Sequence, residues 1–167
     1  MLDMYNDIYY MNIVRDILEH EEFNKIKCIE HHGITRFEHS MKVAYTSYKI
    51  AKFLRLDYRE VARAGLLHDF FLSEEDRTFK DRFVSYFTHP KYAVETSKKY
   101  FDLSDKEIDI IKSHMFPVYT SVPKYVESWI VSLVDKTYSS FEFLTKFRYK
   151  FSYAMNIFIL FLINNIK

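Results

Sequence analysis

The stretch Ala62-Arg63-Ala64-Gly65-Leu66-Leu67-His68-Asp69 decides the fold, because it joins an apolar helical segment to a histidine–aspartate pair. The apolar character continues into Phe70-Phe71-Leu72, so this segment belongs in a core. A histidine and a carboxylate are costly to bury there unless they are hydrogen-bonded, ion-paired or bound to a metal. Adjacent residues on a helix point about 100° apart, so the two side chains can converge on one ion beyond the helix end.

The composition indicates one globular, mainly helical domain. The chain has 167 residues, of which 49% are hydrophobic and 19% aromatic, and this is enough for a sizeable core. Only 2 glycines and 3 prolines are present, which favours long helices and excludes a glycine-rich phosphate loop. We expect an all-α, single-domain helical bundle over residues 1–167, with its motif-bearing core at about 30–140 and an apolar C-terminal helix at about 141–165.

Charge and cysteine content limit the partners and the compartment. The net charge of +1 gives no reason to expect binding to a nucleic acid polymer. The single Cys28 excludes an internal disulfide and suits a reducing cytoplasm. The first residues carry Asp3 and Asp7 and show no signal-peptide pattern. We therefore expect a cytoplasmic protein.

The C-terminal stretch 151–163 is almost wholly apolar and follows Lys146, Arg148 and Lys150. It is shorter than the roughly 20 residues that a membrane-spanning helix needs, so no transmembrane segment is expected. We interpret it as a helix packed on the domain or on a second subunit, with a position on a membrane surface as the alternative. The 14 tyrosines and 16 phenylalanines would also suit a homodimer, through an aromatic surface or through this helix.

Helical periodicity and capping residues divide the first half of the chain. Apolar spacing predicts one helix over residues 4–30. Thr35-Arg36-Phe37-Glu38 reads as a capping box, which places the next helix from Arg36 to about Leu54. The central helix is expected to run from Asp57 or Tyr58 to about Leu72. No convincing strand appears.

The second half is divided in the same way. Thr88-His89-Pro90 is predicted to begin a helix, with Pro90 in its first turn, where the missing N–H does no harm. Ser104-Asp105-Lys106-Glu107 is a second capping box. Pro117 is expected to end that helix and Pro123 to begin the last one. The residues expected inside this last helix are Trp129, Ile130, Leu133 and Val134, followed directly by Asp135.

Metal-ligand residue types recur at or near these helices. They are His39, His68, Asp69, His89, His114 and Asp135. Four imidazoles and two carboxylates suit Mn, Fe, Co, Ni or Zn, whereas Mg prefers more oxygen ligands. A carboxylate between two ions about 3.5–4 Å apart can leave a shared water that becomes hydroxide and attacks phosphorus. The alternative for His39 is a hydrogen-bonded core histidine, and for His89 a plain capping residue.

The order H…HD…D resembles the HD-domain superfamily of metal-dependent phosphohydrolases over roughly residues 30–140. Arg36-Phe37-Glu38-His39-Ser40 is similar to the first-histidine motif of that superfamily, and Ala64-Gly65-Leu66-Leu67-His68-Asp69 to the central one. Ser132-Leu133-Val134-Asp135-Lys136 is similar to the last. The patterns Thr88-His89-Pro90 and His114-Met115-Phe116-Pro117 resemble the dinuclear branches and a group of small HD proteins of Firmicutes.

The resemblance implies an all-α fold and two divalent metal ions bridged by Asp69. The first ion would be held by His39, His68, Asp69 and Asp135, and the second by Asp69, His89 and His114. It also implies an enzyme that cleaves a phosphate ester or anhydride of a nucleotide-like small molecule through a metal-activated hydroxide. Asp69 and His68 would be its catalytic residues.

The sequence departs from the superfamily after the central pair. Many members have Gly and then Lys there, whereas this chain has Phe70-Phe71-Leu72. A substrate cation must then come from elsewhere, and the candidates are Arg36, Lys91 and Lys136, with His32 as a further substrate contact. Each of these could instead be an ordinary surface residue. The paired histidines and the Gly-Tyr-Pro motif of cyclic-di-GMP phosphodiesterases are missing, which argues against that activity.

Three other functional interpretations stay open at this point. The bacterial HD family that hydrolyses dinucleoside tetraphosphates resembles the chain in the same H, HD, H, H, D order. A non-catalytic metal- or nucleotide-binding HD module that signals through partners would explain the missing lysine and the apolar tail. Finally, the histidines could be purely structural.

Overall fold

The computed structural model describes residues 2–31, 34–72 and 79–165, and within these the side chains of 3–29, 34–72 and 88–157. The described part is all-α apart from a pair of two-residue strands. In chain order the elements are α1 Leu2–Asn6, α2 Ile8–Glu19, α3 Glu21–Asn24, a 3₁₀ turn Lys25–Cys28, β1 Glu30–His31, β2 Ile34–Thr35, α4 Arg36–Phe53, α5 Tyr58–Leu67, α6 Phe79–Tyr100, α7 Asp105–Ser113 and α8 Val126–Asn165.

The prediction of one helix over residues 4–30 is wrong. Asp7 ends α1 and caps α2, because its side chain accepts a hydrogen bond from the backbone N–H of Tyr10. His20 has extended backbone angles and caps α3 in the same way, because its Nδ1 accepts a hydrogen bond from the backbone N–H of Glu22. Side chains that bond their own backbone compete with helix continuation, so the segment is broken. β1 and β2 then pair antiparallel, with Glu30 opposite Thr35.

The two capping boxes are confirmed. Thr35 Oγ1 accepts from the N–H of Glu38, and the Glu38 carboxylate accepts from the N–H of Thr35 at 2.9 Å. Ser104 and Glu107 make the same reciprocal pair at the start of α7. Each box satisfies two backbone donors that a helix N-terminus leaves open. These caps fix where α4 and α7 begin, and both helices carry or end at a predicted ligand.

Four predicted helix boundaries need correction. α5 ends at Leu67 and not at about Leu72, so His68 is its C-cap. α6 begins at Phe79, and Pro90 lies inside it, so the helix does not begin at Thr88-His89-Pro90. α7 ends at Ser113, before Pro117, and α8 begins at Val126, after Pro123.

The hydrophobic core lies where α4, α5, α7 and α8 meet, with α2 packed on α5. Gly65 allows α4 and α5 to approach closely, since a Cβ there would lie 3.0 Å from the Cα of Ala44. Large side chains such as Tyr10, Tyr48 and Leu66 are fully buried, and each stabilises the fold by about 1.5–3 kcal/mol. On α8, Ile130 and Val134 are buried as predicted, but Trp129 and Leu133 are exposed.

The apolar C-terminal stretch is not a separate helix but the continuation of α8 beyond Asp135. Every side chain of residues 147–157, here called the α8 tail, is exposed. The expectation that this stretch packs on its own domain is therefore wrong for the tail, because it projects beyond the core. Across the described residues, none of the helices combines the length and apolarity needed to cross a membrane.

Candidate metal centre

All six predicted ligands are buried and lie in one region of the molecule. They arrive from α4 (His39), from the residues just after α5 (His68 and Asp69), from α6 (His89), from the end of α7 (His114) and from α8 (Asp135). Among the described residues, donor atoms of His39, His68 and Asp135 lie within 4.8 Å of one another, and so do those of His68, Asp69 and His114. The two groups share His68. Residues far apart in sequence therefore converge on one polar centre.

His68 and His114 are held by the same local device. Each is the C-cap of its helix, and each ring folds back so that Nδ1 meets the carbonyl three residues earlier, Gly65 O at 2.7 Å and Ile111 O at 2.8 Å. Because a carbonyl oxygen can only accept, both Nδ1 atoms must carry the proton. With the proton on Nδ1, Nε2 is the ring atom that faces the centre, as in histidines that bind a metal.

His39 is fixed from both sides by carboxylates. Its Nδ1 contacts Glu142 Oε2 at 3.0 Å and its Nε2 contacts Asp135 Oδ1 at 3.0 Å. Burial lowers the pKa of His39, but the hydrogen bonds with Asp135 and Glu142 outweigh it and raise that pKa to about 10. Burial likewise opposes ionisation of Asp135, yet its contact with His39 holds its pKa well below the usual range. Each of these contacts therefore favours the charged form of both partners.

The second half of the centre surrounds Asp69. Asp69 Oδ1 lies 3.2 Å from His89 Nε2 and 3.7 Å from His114 Nε2, while Oδ2 lies 3.8 Å from His68 Nε2. The two Nε2 atoms of His89 and His114 are 3.0 Å apart. Burial, and then the nearby His68 and His89, lower the pKa of His114 to about 3, so its ring is neutral.

The donor set fits divalent metals. Histidine Nε2 atoms lie 3.0–3.8 Å from the oxygens of two buried carboxylates, Asp69 and Asp135, and this combination of donor atoms can surround a cation. His68 Nε2 is buried without a hydrogen-bond partner in the described part of the chain, so its lone pair is unused there. Imidazole nitrogens combined with carboxylates suit Mn, Fe, Co, Ni and Zn.

Two of the predicted substrate cations are engaged in holding the centre. The Arg36 guanidinium is buried, donates to the carbonyl of Phe71 and lies 3.8 Å from the Phe71 ring centroid. The Phe71 ring in turn stacks on His89. Lys136 Nζ donates to the carbonyls of His114 and Ser132 and to Ser132 Oγ. These contacts position His89 and the backbone of His114.

The other two predicted substrate contacts are placed differently. Lys91 lies on α6 two residues after His89, with its side chain 65% exposed and Glu95 at 3.9 Å. His32 lies outside the described residues.

Sequence reasoning missed Glu142 and the Arg36–Phe71–His89 stack. Glu142 follows Asp135 by seven residues, which is two turns on the same face of α8. A lone carboxylate between Phe141 and Phe143 was the available signal. The stack left no comparable signal, because Arg36 and Phe71 are 35 residues apart.

Comparison with known families identifies the same region. The HD domain family model matches residues 36–139, which is more than half of the chain and contains every predicted ligand. Comparison with curated proteins and with solved structures gave no match. An all-α fold, the H…HD…D order and the convergence of its residues all agree with the family match. The chain therefore belongs to the HD-domain superfamily of metal-dependent phosphohydrolases.

Proposed function

We propose that this protein is a metal-dependent phosphohydrolase that cleaves a phosphate ester or anhydride of a nucleotide-like small molecule. The observation that carries the proposal is the convergence of the six predicted ligands into two overlapping donor groups. HD domains are generally metal-dependent hydrolases, which supports the same reaction class. Burial of histidine lone pairs and carboxylates lowers the stability of a fold. Their presence together in the core is therefore better explained by a function than by stability.

The geometry supports a bridging role for Asp69. Its two oxygens face different histidines, Oδ2 facing His68 and Oδ1 facing His89 and His114. We assign the first ion to His39, His68, Asp69 and Asp135, and the second to Asp69, His89 and His114. Bound divalent ions supply Lewis acidity and lower the pKa of water. Asp69 and His68 are the proposed catalytic residues.

The remaining residues of the centre orient these groups. Glu142 Oε2 is placed to accept a hydrogen bond from His39 Nδ1–H, and this orients the ring with Nε2 directed at Asp135. Lys136 and Ser132 Oγ both donate to the His114 carbonyl, which fixes the end of α7. Of the predicted cations whose side chains are described, Lys91 is the exposed one, and we propose that it contacts the substrate phosphate.

The test is a substrate panel on the metal-loaded protein. It should contain phosphomonoesters, phosphodiesters, nucleotides and dinucleoside polyphosphates, with released phosphate and chromatography as readouts. The proposal predicts turnover of at least one nucleotide-like phosphate, lost in Asp69→Asn. Failure of every substrate with Mn, Fe, Co, Ni and Zn would refute the enzyme proposal.

A narrower candidate is hydrolysis of dinucleoside tetraphosphates. The H, HD, H, H, D order of the proposed ligands supports it, because the family that hydrolyses dinucleoside tetraphosphates has the same order. Chromatography of the products decides the point, because symmetric cleavage yields two nucleoside diphosphates and asymmetric cleavage a mono- and a triphosphate. If the protein cleaved a simple nucleotide but left the dinucleoside tetraphosphate intact, this candidate would be excluded.

The second candidate function is a non-catalytic metal- or nucleotide-binding module that signals through partners. It is favoured by the engagement of Arg36 and Lys136 in structural contacts and by the exposed α8 tail. Titration of the metal-loaded protein with nucleotides distinguishes the two. Saturable binding without any turnover would support the module over the enzyme.

We further propose that α8 mediates homodimer formation. Leu144, Phe147 and Phe151 are spaced three and four residues apart, so they share one helix face, and all three are more than half exposed. Isolated apolar residues on a surface are common, but a contiguous apolar face typically marks an interface.

A further inference from the structure

One exposed face runs along most of α8, from the part that packs on the core to the α8 tail. At 3.6 residues per turn, its residues fall within about 80° of one another around the helix axis. They are Val126, Trp129, Leu133, Thr137, Ser140, Leu144, Phe147 and Phe151, here called the outer face, and all of them are exposed. Asp135 is buried on the opposite side of α8, so the outer face is turned away from the metal centre.

The order of residues along the outer face is symmetric. Two apolar groups, each spaced by three and then four residues, lie on either side of the short side chains of Thr137 and Ser140. An antiparallel second copy of α8, with a twofold axis between Thr137 and Ser140, would place each apolar group opposite the other one, matched to within one residue. The opposed pairs are Val126 with Phe151, Trp129 with Phe147 and Leu133 with Leu144. The short central side chains allow the two helices to approach closely.

The outer face is large enough for a specific dimer. Five of its six apolar side chains are 57% to 60% exposed, and Trp129 is 41% exposed. Large apolar side chains present on the order of 200 Å² each, so the six together expose roughly 700 Å² per chain. Specific interfaces bury about 800 Å² per partner. The outer face therefore supplies most of the area that a stable dimer needs.

The places of the two apolar groups favour an antiparallel pair over a parallel one. The first group lies on the part of α8 that packs on the core, since Ile130 and Val134 on the other side of the helix are buried there. The second group extends into the α8 tail, which projects beyond the core. An antiparallel pair therefore lays each tail along the other domain, whereas a parallel pair would leave the two tails supported only by each other.

We propose that two copies of this chain pair antiparallel through the outer faces of α8, about a twofold axis between Thr137 and Ser140. This inference rests on the homodimer proposed above and specifies its geometry, and it does not depend on hydrolysis at the metal centre. The pairing buries Trp129, the only tryptophan of the chain, whose ring also packs edge-on against Phe116 at 5.5 Å. Tryptophan fluorescence therefore measures the pairing directly.

The test is a mixture of two variants that cannot pair with themselves but can pair with each other. Leu133→Lys and Leu144→Glu each bury two unpaired charges in their own dimer, which is strongly unfavourable. In the mixed dimer the introduced lysine faces the introduced glutamate, and the other site keeps leucine against leucine. We expect each variant alone to sediment as a monomer where wild type is dimeric. The mixed dimer should have a dissociation constant at least about tenfold lower than either variant alone.

A mismatched mixture is the control for the register. Leu133→Lys mixed with Phe151→Glu should not recover the dimer, because Phe151 is opposite Val126, about 10 Å further along the helix. The three substituted positions are exposed, so each variant should keep the circular dichroism of wild type. Tryptophan fluorescence should shift to shorter wavelength only in wild type and in the matched mixture.

The outcomes separate this pairing from the homodimer itself. A wild-type protein that stays monomeric at high concentration would overturn both. A wild-type dimer that survives in both single variants, or that the matched mixture does not recover, would keep the homodimer and overturn this pairing. Recovery by Leu133→Lys mixed with Leu133→Glu, without recovery in the matched mixture, would assign a parallel pair and would also overturn it.

Discussion

The metal centre buries polar side chains, whereas the α8 tail exposes apolar ones, although Asp135 and the tail belong to the same helix. Asp135 is 5% exposed and is surrounded by histidines. Phe147 and Phe151, three and four turns later, are 58% and 59% exposed. Both arrangements are unfavourable for an isolated chain, since buried lone pairs and exposed rings each cost free energy. From this difference we infer that each region is completed by a partner, an ion for the metal centre and an apolar surface for the tail.

The largest effect is expected at the bridging carboxylate. Asp69→Asn keeps the shape of the side chain but removes the charge that faces three histidines, so hydrolysis of the best substrate should fall about a thousandfold. Steady-state kinetics with saturating metal measure this.

The matched control is Asp109→Asn. Asp109 is also buried, but its Oδ2 accepts from the N–H of Lys124 and from Ser128 Oγ. This variant should lose about 1–3 kcal/mol of stability and keep its metal. If both variants lost metal equally, the distinction between a metal-binding and a structural carboxylate would fail.

The corresponding change in the α8 tail is Phe147→Glu combined with Phe151→Glu. Burial of each ring in a dimer would be worth about 1.5–3 kcal/mol, so the dissociation constant of the dimer should rise at least about a hundredfold. Sedimentation measures the oligomeric state, and metal content should not change. Phe53→Glu, at an 85% exposed position at the end of α4, is the control and should keep the dimer. A wild-type protein that stays monomeric at high concentration would contradict the prediction.

The next effect in size concerns Glu142, which lies on α8 between Asp135 and the tail and contacts His39. Glu142→Gln removes the charge that favours the Nδ1 proton of His39, so metal affinity should fall about ten- to a hundredfold. Competition with a chelator measures it. Glu127→Gln removes another buried carboxylate of α8, paired with Lys106, and should leave the affinity unchanged. Equal metal affinity in wild type and Glu142→Gln would show that metal binding does not depend on the contact between the Glu142 carboxylate and His39 Nδ1.

The smallest effect is expected at Gly65→Ala. The added Cβ would approach the Ala44 backbone to 3.0 Å, and packed helices do not yield easily. We expect a loss of about 1–3 kcal/mol, reduced by about 1 kcal/mol of gained helix propensity. Denaturant unfolding measures the balance. An unchanged or higher stability would mean that α4 and α5 can separate without cost.

Some of the candidate ligands could be predicted from the residues around them, because they are polar residues at the end of an apolar helical segment. His68-Asp69 ends such a segment, and Asp135 follows one. The capping boxes of Thr35 and Ser104 were also readable, since capping depends on residues three apart. Local chemistry therefore predicted the fold class and the residues that the fold brings together, whereas their role as metal ligands stays a prediction.

The remaining features depend on contacts that no local pattern encodes. Glu142 acquires its role from His39, 103 residues away in sequence. Lys136 and Arg36 looked like free cations, and only the fold directs them to backbone carbonyls. Pro90 looked like a helix start, but α6 begins at Phe79 and includes it. Packing overrode the local preference in each case.

The most direct test of the account is the metal content per chain, measured by elemental analysis on wild type, His89→Ala and Asp69→Ala. The account predicts about two ions in wild type, about one without His89 and close to none without Asp69. One ion that is indifferent to His89 would contradict the two-ion centre. No ion in any sample, even after reconstitution, would contradict the metal centre itself.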